Sequence, residues 1–171
     1  RYYGAITGLH DAVAEQPVAP SMPAGSVTDD TEQALILAGL LIDGGGRIDP
    51  HQLADALLRW EDDMRARGSL DLLGPSTKLA LERVRAGADP HCTGRQGTTN
   101  GAAMRVSPVG IAFSLNTADD ALARAVHASC LVTHDTRQGF EAAGLLAAAV
   151  SAAIDGVDAA GALEAALDFV A

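Results

Sequence analysis

A threonine, two aspartates and a second threonine, Thr28-Asp29-Asp30-Thr31, stand directly before an apolar run in the stretch GSVTDDTEQALILAGLLID, residues 25–43. Two kinds of chemistry fit such a group. Asp29 with Glu32 three residues on has the form of a capping box, and acidic side chains in a first turn are stabilised by the helix dipole. The alternative is a cation site. A hard divalent ion requires several oxygen ligands, and the Thr28 hydroxyl with two successive carboxylates offers three from one turn, a donor set suited to Mg²⁺ or Mn²⁺. The dipole opposes a cation there, so both carboxylates and further ligands from elsewhere would be needed. The residues alone leave cap and ligand equally open.

A second group lies in the glycine-rich run GRQGTTNGAAMR, residues 94–105. Glycines ahead of a helix let backbone N–H groups approach a phosphate, and Asn100 adds a donor and an acceptor. The same glycines also suit a flexible surface connection. Arg105, one turn further on, is expected to pair with an acidic side chain or, less favourably, with phosphate. Of the five histidines, His10, His51, His91 and His127 have no companion ligand nearby in sequence and read as surface residues. His134, in VTHDT between two apolar segments, falls at a helix terminus where a ligand could be met. Cys92 and Cys130 have neither CxxC spacing nor a histidine at zinc-finger distance. No nucleophile elbow or Walker loop occurs.

The elements that must position these groups read as helices throughout, with no convincing alternating strand. The 171 residues suffice for one domain. Apolar residues make up 48% and aromatics only 4%, which points to closely spaced, alanine-rich helices. Residues 29–43 are apolar nearly all round and are expected to form a central helix buried on most faces. Asp49, Pro50 and Gln52 start a second helix that runs through Trp60 to Arg67. Further helices are expected over 75–86, on either side of Pro108, over 118–131 from a Thr117–Asp120 capping box, over 139–154 and over 159–170. With the segment around Pro108 counted as one, seven helices with short connections favour an all-α, orthogonal multi-helix bundle. A net charge of −10 with 12 scattered basic residues argues against a protein that tracks nucleic-acid backbone. The longest apolar run, 142–154, is too short to span a bilayer, so a cytoplasmic protein without a membrane partner is expected.

Taken in order, TDDT opening an apolar helix, TNGAAMRVSPVG after the glycine-rich loop, and THDT before an alanine-rich helix resemble the ADP-ribosylglycohydrolase family over about residues 25–156. The resemblance implies an all-α fold that binds two divalent ions, Mg²⁺ or Mn²⁺. It also implies hydrolysis of the glycosidic bond joining ADP-ribose to a protein side chain or small acceptor. By the same resemblance Thr28, Asp29 and Asp30 match the first metal-ligand cluster, with Asp30 named for the metal-linked catalytic role. Gly97, Thr98, Thr99, Asn100 and Gly101 match the loop around diphosphate and ribose, and His134 a histidine near the ligand. The family's opening GDALG segment has only an echo in GAITGLHDAVAEQP, with Glu15 standing where an acidic residue is expected. Its second metal cluster, Asp-Thr-Asp, has no counterpart before Ala171, and Asp155, Asp158, Glu164 and Asp168 read as solvated or capping groups. Because Arg1 replaces an initiator Met and the second ligand set is missing, residues 1–171 are expected to be a fragment of a longer domain, which self-associates or pairs with the missing part. The competing expectations are an inactive relative that binds ADP-ribose or a nucleotide, and a structural α-domain that binds a partner.

Overall fold

In the computed structural model the structure is described for residues 27–68 and 73–171. The GAITGLHDAVAEQP segment, with His10 and Glu15, lies outside these residues. Eight helices and no strand occur among the described residues: α1 (Asp29–Asp43), α2 (Pro50–Ala66), α3 (Pro75–Arg85), α4 (Gly101–Arg105), α5 (Ser107–Ala112), α6 (Ala121–His134), α7 (Arg137–Ile154) and α8 (Ala159–Val170). The protein is all-α, as expected.

Local chemistry accounts for most helix ends. Asp49 Oδ1 accepts from the His51 and Gln52 N–H groups at 2.9 and 3.0 Å, with Pro50 at the first helical position. Asp158 caps α8 in the same way through Gly161 N–H. Beyond α3 and α7, Gly87 and Gly156 take φ of 88° and 87°, and the N–H groups of Ala88 and Val157 close the last turns on Arg83 O and Ala152 O. Only a residue without Cβ adopts that backbone cheaply, so glycine stops both helices. Pro108 sits in the first turn of α5 and separates it from α4.

Three expectations fail. The Thr117–Asp120 capping box does not form: Thr117 Oγ1 donates to Ser114 O, Asp120 adopts φ 50°, and α6 begins at Ala121 and runs on to His134. Asp29 is not a cap either. Thr28 holds the N-cap position of α1, and Glu32 accepts instead from Trp60 Nε1 at 2.7 Å and from Arg67. Nor is α1 the central helix. It buries the single stripe Gln33, Leu37 and Leu41, while Leu35 and Ile42 are 66% and 79% exposed. The centre is α7, which packs against α4, α5, α6 and α8. Its buried face is Gly139, Ala143, Gly144, Ala147, Ala148, Ser151 and Ala152, and such small side chains let four neighbours approach one axis. Helix α1 packs on α2, α4 and α5, and its N-terminus faces the loop before α4. No helix among the described residues is long and apolar enough to cross a membrane.

Candidate functional site

The first turn of α1 and the loop 97–101 meet across a cleft of about 190 Å³. Asp29 and Asp30 form one wall, Thr99, Asn100 and Gly101 another, and Thr77 on α3 lies between them. Two stretches about 70 residues apart in sequence thus share one cavity. A larger groove of about 540 Å³ beside Arg47, Phe113 and Arg124 lies apart from these residues.

The α1 wall is under electrostatic strain. Thr28 is 3% exposed, yet among the described residues its Oγ1 has no hydrogen-bond partner, and it makes no capping bond. A buried hydroxyl left in that state costs about 1–3 kcal/mol, which makes Thr28 a ligand-seeking group. Burial, followed by the neighbouring Asp30 charge, raises the Asp29 carboxyl to a pKa of about 6. A cation beside these two side chains would relieve both penalties, so the residues fit an ion held by Thr28, Asp29 and Asp30.

The opposite wall is built by close backbone packing. A Cβ on Gly97 would fall inside the Thr133 carbonyl, and one on Gly101 would lie 2.5 Å from His134 Cε1. These glycines therefore allow the loop to lie flat on the end of α6, and flexibility is not their role. Thr136 Oγ1 donates to Gly97 O at 2.6 Å and accepts from Gly139 N–H, tying the loop to the start of α7. Ser76 Oγ accepts from the N–H groups of Thr98 and Thr99 at 3.2 and 3.3 Å. Ser76, Thr77 and Thr136 were not singled out in the sequence. Ser76 and Thr77 stand in the first turn of a helix that Pro75 already starts, and Thr136 is the N-cap of α7.

Behind the loop runs a buried polar chain. Arg105 is completely buried and, contrary to expectation, meets neither a carboxylate nor solvent. Its Nη1 donates to Gln33 Oε1 at 2.9 Å, and its Nη2 to Ser129 O at 2.9 Å and Thr133 Oγ1 at 2.7 Å. Burial lowers its pKa to about 10, so it is still charged at neutral pH. Next, Thr133 Oγ1 meets His134 Nδ1 at 2.8 Å, and His134 Nε2 meets Thr99 Oγ1 at 2.9 Å. Burial and then the Arg105 charge hold the His134 pKa down at about 4, so the ring is neutral. Arginine can only donate, so Thr133 Oγ1 accepts from it and has its own proton to give to Nδ1. The ring proton is then assigned to Nε2, which donates to Thr99. With its oxygen accepting from the ring, the Thr99 O–H is left to donate toward the cleft.

The structure therefore gathers Asp29, Asp30, Thr99, Asn100 and Gly101 around one cavity, with Thr28 buried just behind the carboxylates. Gly97 packs on α6, Thr98 is exposed beside it, and His134 stands behind Thr99 without itself lining the cavity. The family profile described as ADP-ribosylglycohydrolase matches residues 2–171. The chain belongs to the ADP-ribosylglycohydrolase family. Among curated proteins it is similar to an uncharacterized protein of Escherichia coli K12, YegU, with 38% identity over 129 residues, 75% of this chain and 38% of that protein. It is also similar to an uncharacterized protein of Archaeoglobus fulgidus, with 36% identity over 113 residues, 65% of this chain and 34% of that protein. Each of these matches spans little more than a third of the relative's length.

Proposed function

We propose that residues 1–171 carry the ADP-ribose-binding, metal-holding part of a hydrolase that cleaves the glycosidic bond between ADP-ribose and a protein side chain or small acceptor. The observation that carries this reading is the single cleft shared by the Asp29–Asp30 pair and the Thr99–Gly101 loop. Thr28, Asp29 and Asp30 would hold Mg²⁺ or Mn²⁺. Such an ion would supply a template for ribose hydroxyls and a more acidic water.

In the reaction a water oxygen forms a bond to the anomeric carbon of the ribose as the bond to the acceptor breaks, and the acceptor leaves with a proton. Asp30 is the side chain proposed to orient that water and take up its proton. Thr99 O–H, Asn100 and the backbone N–H groups of Asn100 and Gly101 are proposed to bind the diphosphate and ribose oxygens, with His134 and Arg105 fixing the direction of the Thr99 hydroxyl. No Asp-Thr-Asp follows His134 in these 171 residues. The second ligand set of the family is therefore proposed to come from the remainder of a longer protein, and residues 1–171 alone should release little ADP-ribose.

The test is the thermal midpoint with and without millimolar Mn²⁺, for the parent and for the double variant Asp29→Asn, Asp30→Asn. The parent should gain stability from the ion, about 2.7 kcal/mol if the concentration reaches about 100 times Kd. The variant should gain none. The single variant Asp29→Asn should leave metal-free stability nearly unchanged, because Asp29 is not the cap of α1 and its carboxylate is already disfavoured by burial. Equal gains in both proteins would reduce these aspartates to first-turn residues.

A further inference from the structure

Two histidines that share no stretch of sequence meet on the far side of α2. His51, in the first turn of α2, packs edge-on against His91 in the turn after α3, with ring centroids 5.2 Å apart. Asp89 Oδ1 accepts from both His91 N–H and His91 Nδ1, at 3.0 and 2.9 Å. One ligand atom from each of His51, Asp89 and His91 falls in a group whose members lie within 4.8 Å of one another, and all three residues are exposed.

We propose that His51, Asp89 and His91 form a Zn²⁺ site that fastens the 89–92 turn to the start of α2. The donor set decides the ion. Two imidazoles and one carboxylate select a borderline transition ion over Mg²⁺, which requires oxygen ligands. In tetrahedral zinc with Zn–N about 2.0–2.1 Å, neighbouring ligand atoms are separated by roughly 3.3 Å. The Asp89–His91 pair is already as close as that, and the His51 ligand atom, within 4.8 Å of both, would close the remaining gap by movement of an exposed side chain. The ion would take the place of the proton between Asp89 and His91, and water would complete the fourth position.

The surroundings favour a cation. The positive end of α2 would repel one, but the Asp49 carboxylate already occupies the His51 and Gln52 N–H groups and offsets it. The site also has a place in the fold. The turn it would grip is the start of the 89–100 segment, which leads into the cleft loop and is also held by Arg83 to Gln96 and by Thr93 Oγ1 to Val132 O. This site is separate from the Asp29–Asp30 cleft and stands or falls independently of the hydrolase reading.

The experiment titrates the full 171-residue chain with Zn²⁺ against a chelating dye of micromolar affinity, in parallel with His51→Ala, His91→Ala, Cys92→Ser, and the Asp29→Asn, Asp30→Asn pair. The parent should bind one Zn²⁺, and each histidine variant should bind at least about tenfold more weakly, given that even outer partners of zinc ligands are worth 10–100-fold. Excess Mg²⁺ should not compete. Amide exchange over residues 89–97 should slow when Zn²⁺ is added to the parent and should not change in His51→Ala. Both histidines are exposed, so their variants should keep the parent's helical circular dichroism. The proposal is overturned if the parent binds no Zn²⁺, if both histidine variants bind as the parent does, or if binding disappears only in Cys92→Ser or in the aspartate pair.

Discussion

Acidification from about pH 7 to about pH 5 should weaken this fold through His134. The unfolded imidazole protonates near 6.5, whereas the folded one is held at about 4 by burial and by Arg105. A base whose pKa is depressed on folding contributes stability that is present above 6.5 and is lost as the pH falls toward 4, because only the unfolded chain takes up the proton. At about 1.4 kcal/mol per pH unit, most of the lost stability, about 2 kcal/mol, appears by pH 5. Asp29 acts in the opposite sense. Its pKa rises from 3.8 to about 6, so the folded chain takes up a proton first and gains stability as the pH falls through 6. That group is only half buried, and solvent screening leaves it the smaller of the two. The parent should therefore lose stability over this range, and Asp29→Asn, which removes the opposing group, should lose close to the full 2 kcal/mol. The assay is urea unfolding with a chelator present, so that no ion titrates the same carboxylates, with the His134 ring followed by NMR. A ring that titrates near 6.5, or an Asp29→Asn protein equally stable at both ends of the range, would refute the buried neutral histidine and the hydrogen-bond direction built on it.

Two substitutions test the packing around the cleft. Gly97→Ala places a methyl group into the Thr133 carbonyl and should cost about 2 kcal/mol or more, whereas Gly39→Ala, in the middle of α1 with nothing within 4 Å of the new Cβ, should gain about 0.5–1 kcal/mol; denaturant midpoints compare them directly. Glu32→Gln keeps the shape but removes the charge that Trp60 Nε1 and Arg67 share, and should lower stability by about 1 kcal/mol while shifting the emission of the protein's single tryptophan.

Helix starts and stops were legible because they depend on residues within a few positions of one another: Asp49 with Pro50, Pro108 between two short helices, Asp158 at the head of α8. The exceptions show the limit of that logic. Glu32 has the spacing of a capping box, but the charged Arg67, 35 residues away, and the Trp60 N–H offer it stronger partners than a backbone N–H of its own turn. Arg105 was expected to find a carboxylate among 22 acidic residues. Instead, α1 and α6 close over it and leave only Gln33, Thr133 and a carbonyl within reach, a contact set with separations of 72, 28 and 24 residues that no local pattern encodes. Motif order brought the α1 aspartates and the glycine-rich loop to notice together, but not the Ser76 hydroxyl that holds the loop's amides. The His51–His91 pair is not legible in the sequence because the two rings come from segments 40 residues apart, and Asp89 beside His91 is by itself only a turn residue.

On the proposed reading the two walls of the cleft would divide the work of binding a molecule that is both anionic and rich in hydroxyls. On a chain with net charge −10, a cluster of arginines would be the simplest attraction for a diphosphate, yet among the described residues no basic side chain lines this cavity. Arg105 is buried behind Thr133 and His134, and what it passes forward is direction: with Thr133 donating to Nδ1, the assigned Nε2 proton points toward Thr99. The α1 wall carries the opposite character, two carboxylates and an unpartnered hydroxyl that no anion would approach unaided. A wall of donors facing a wall of acceptors recognises an anionic ligand only when a cation stands against the acceptors. On the proposed reading the ion is therefore a requirement for substrate binding itself as well as for the bond-breaking step.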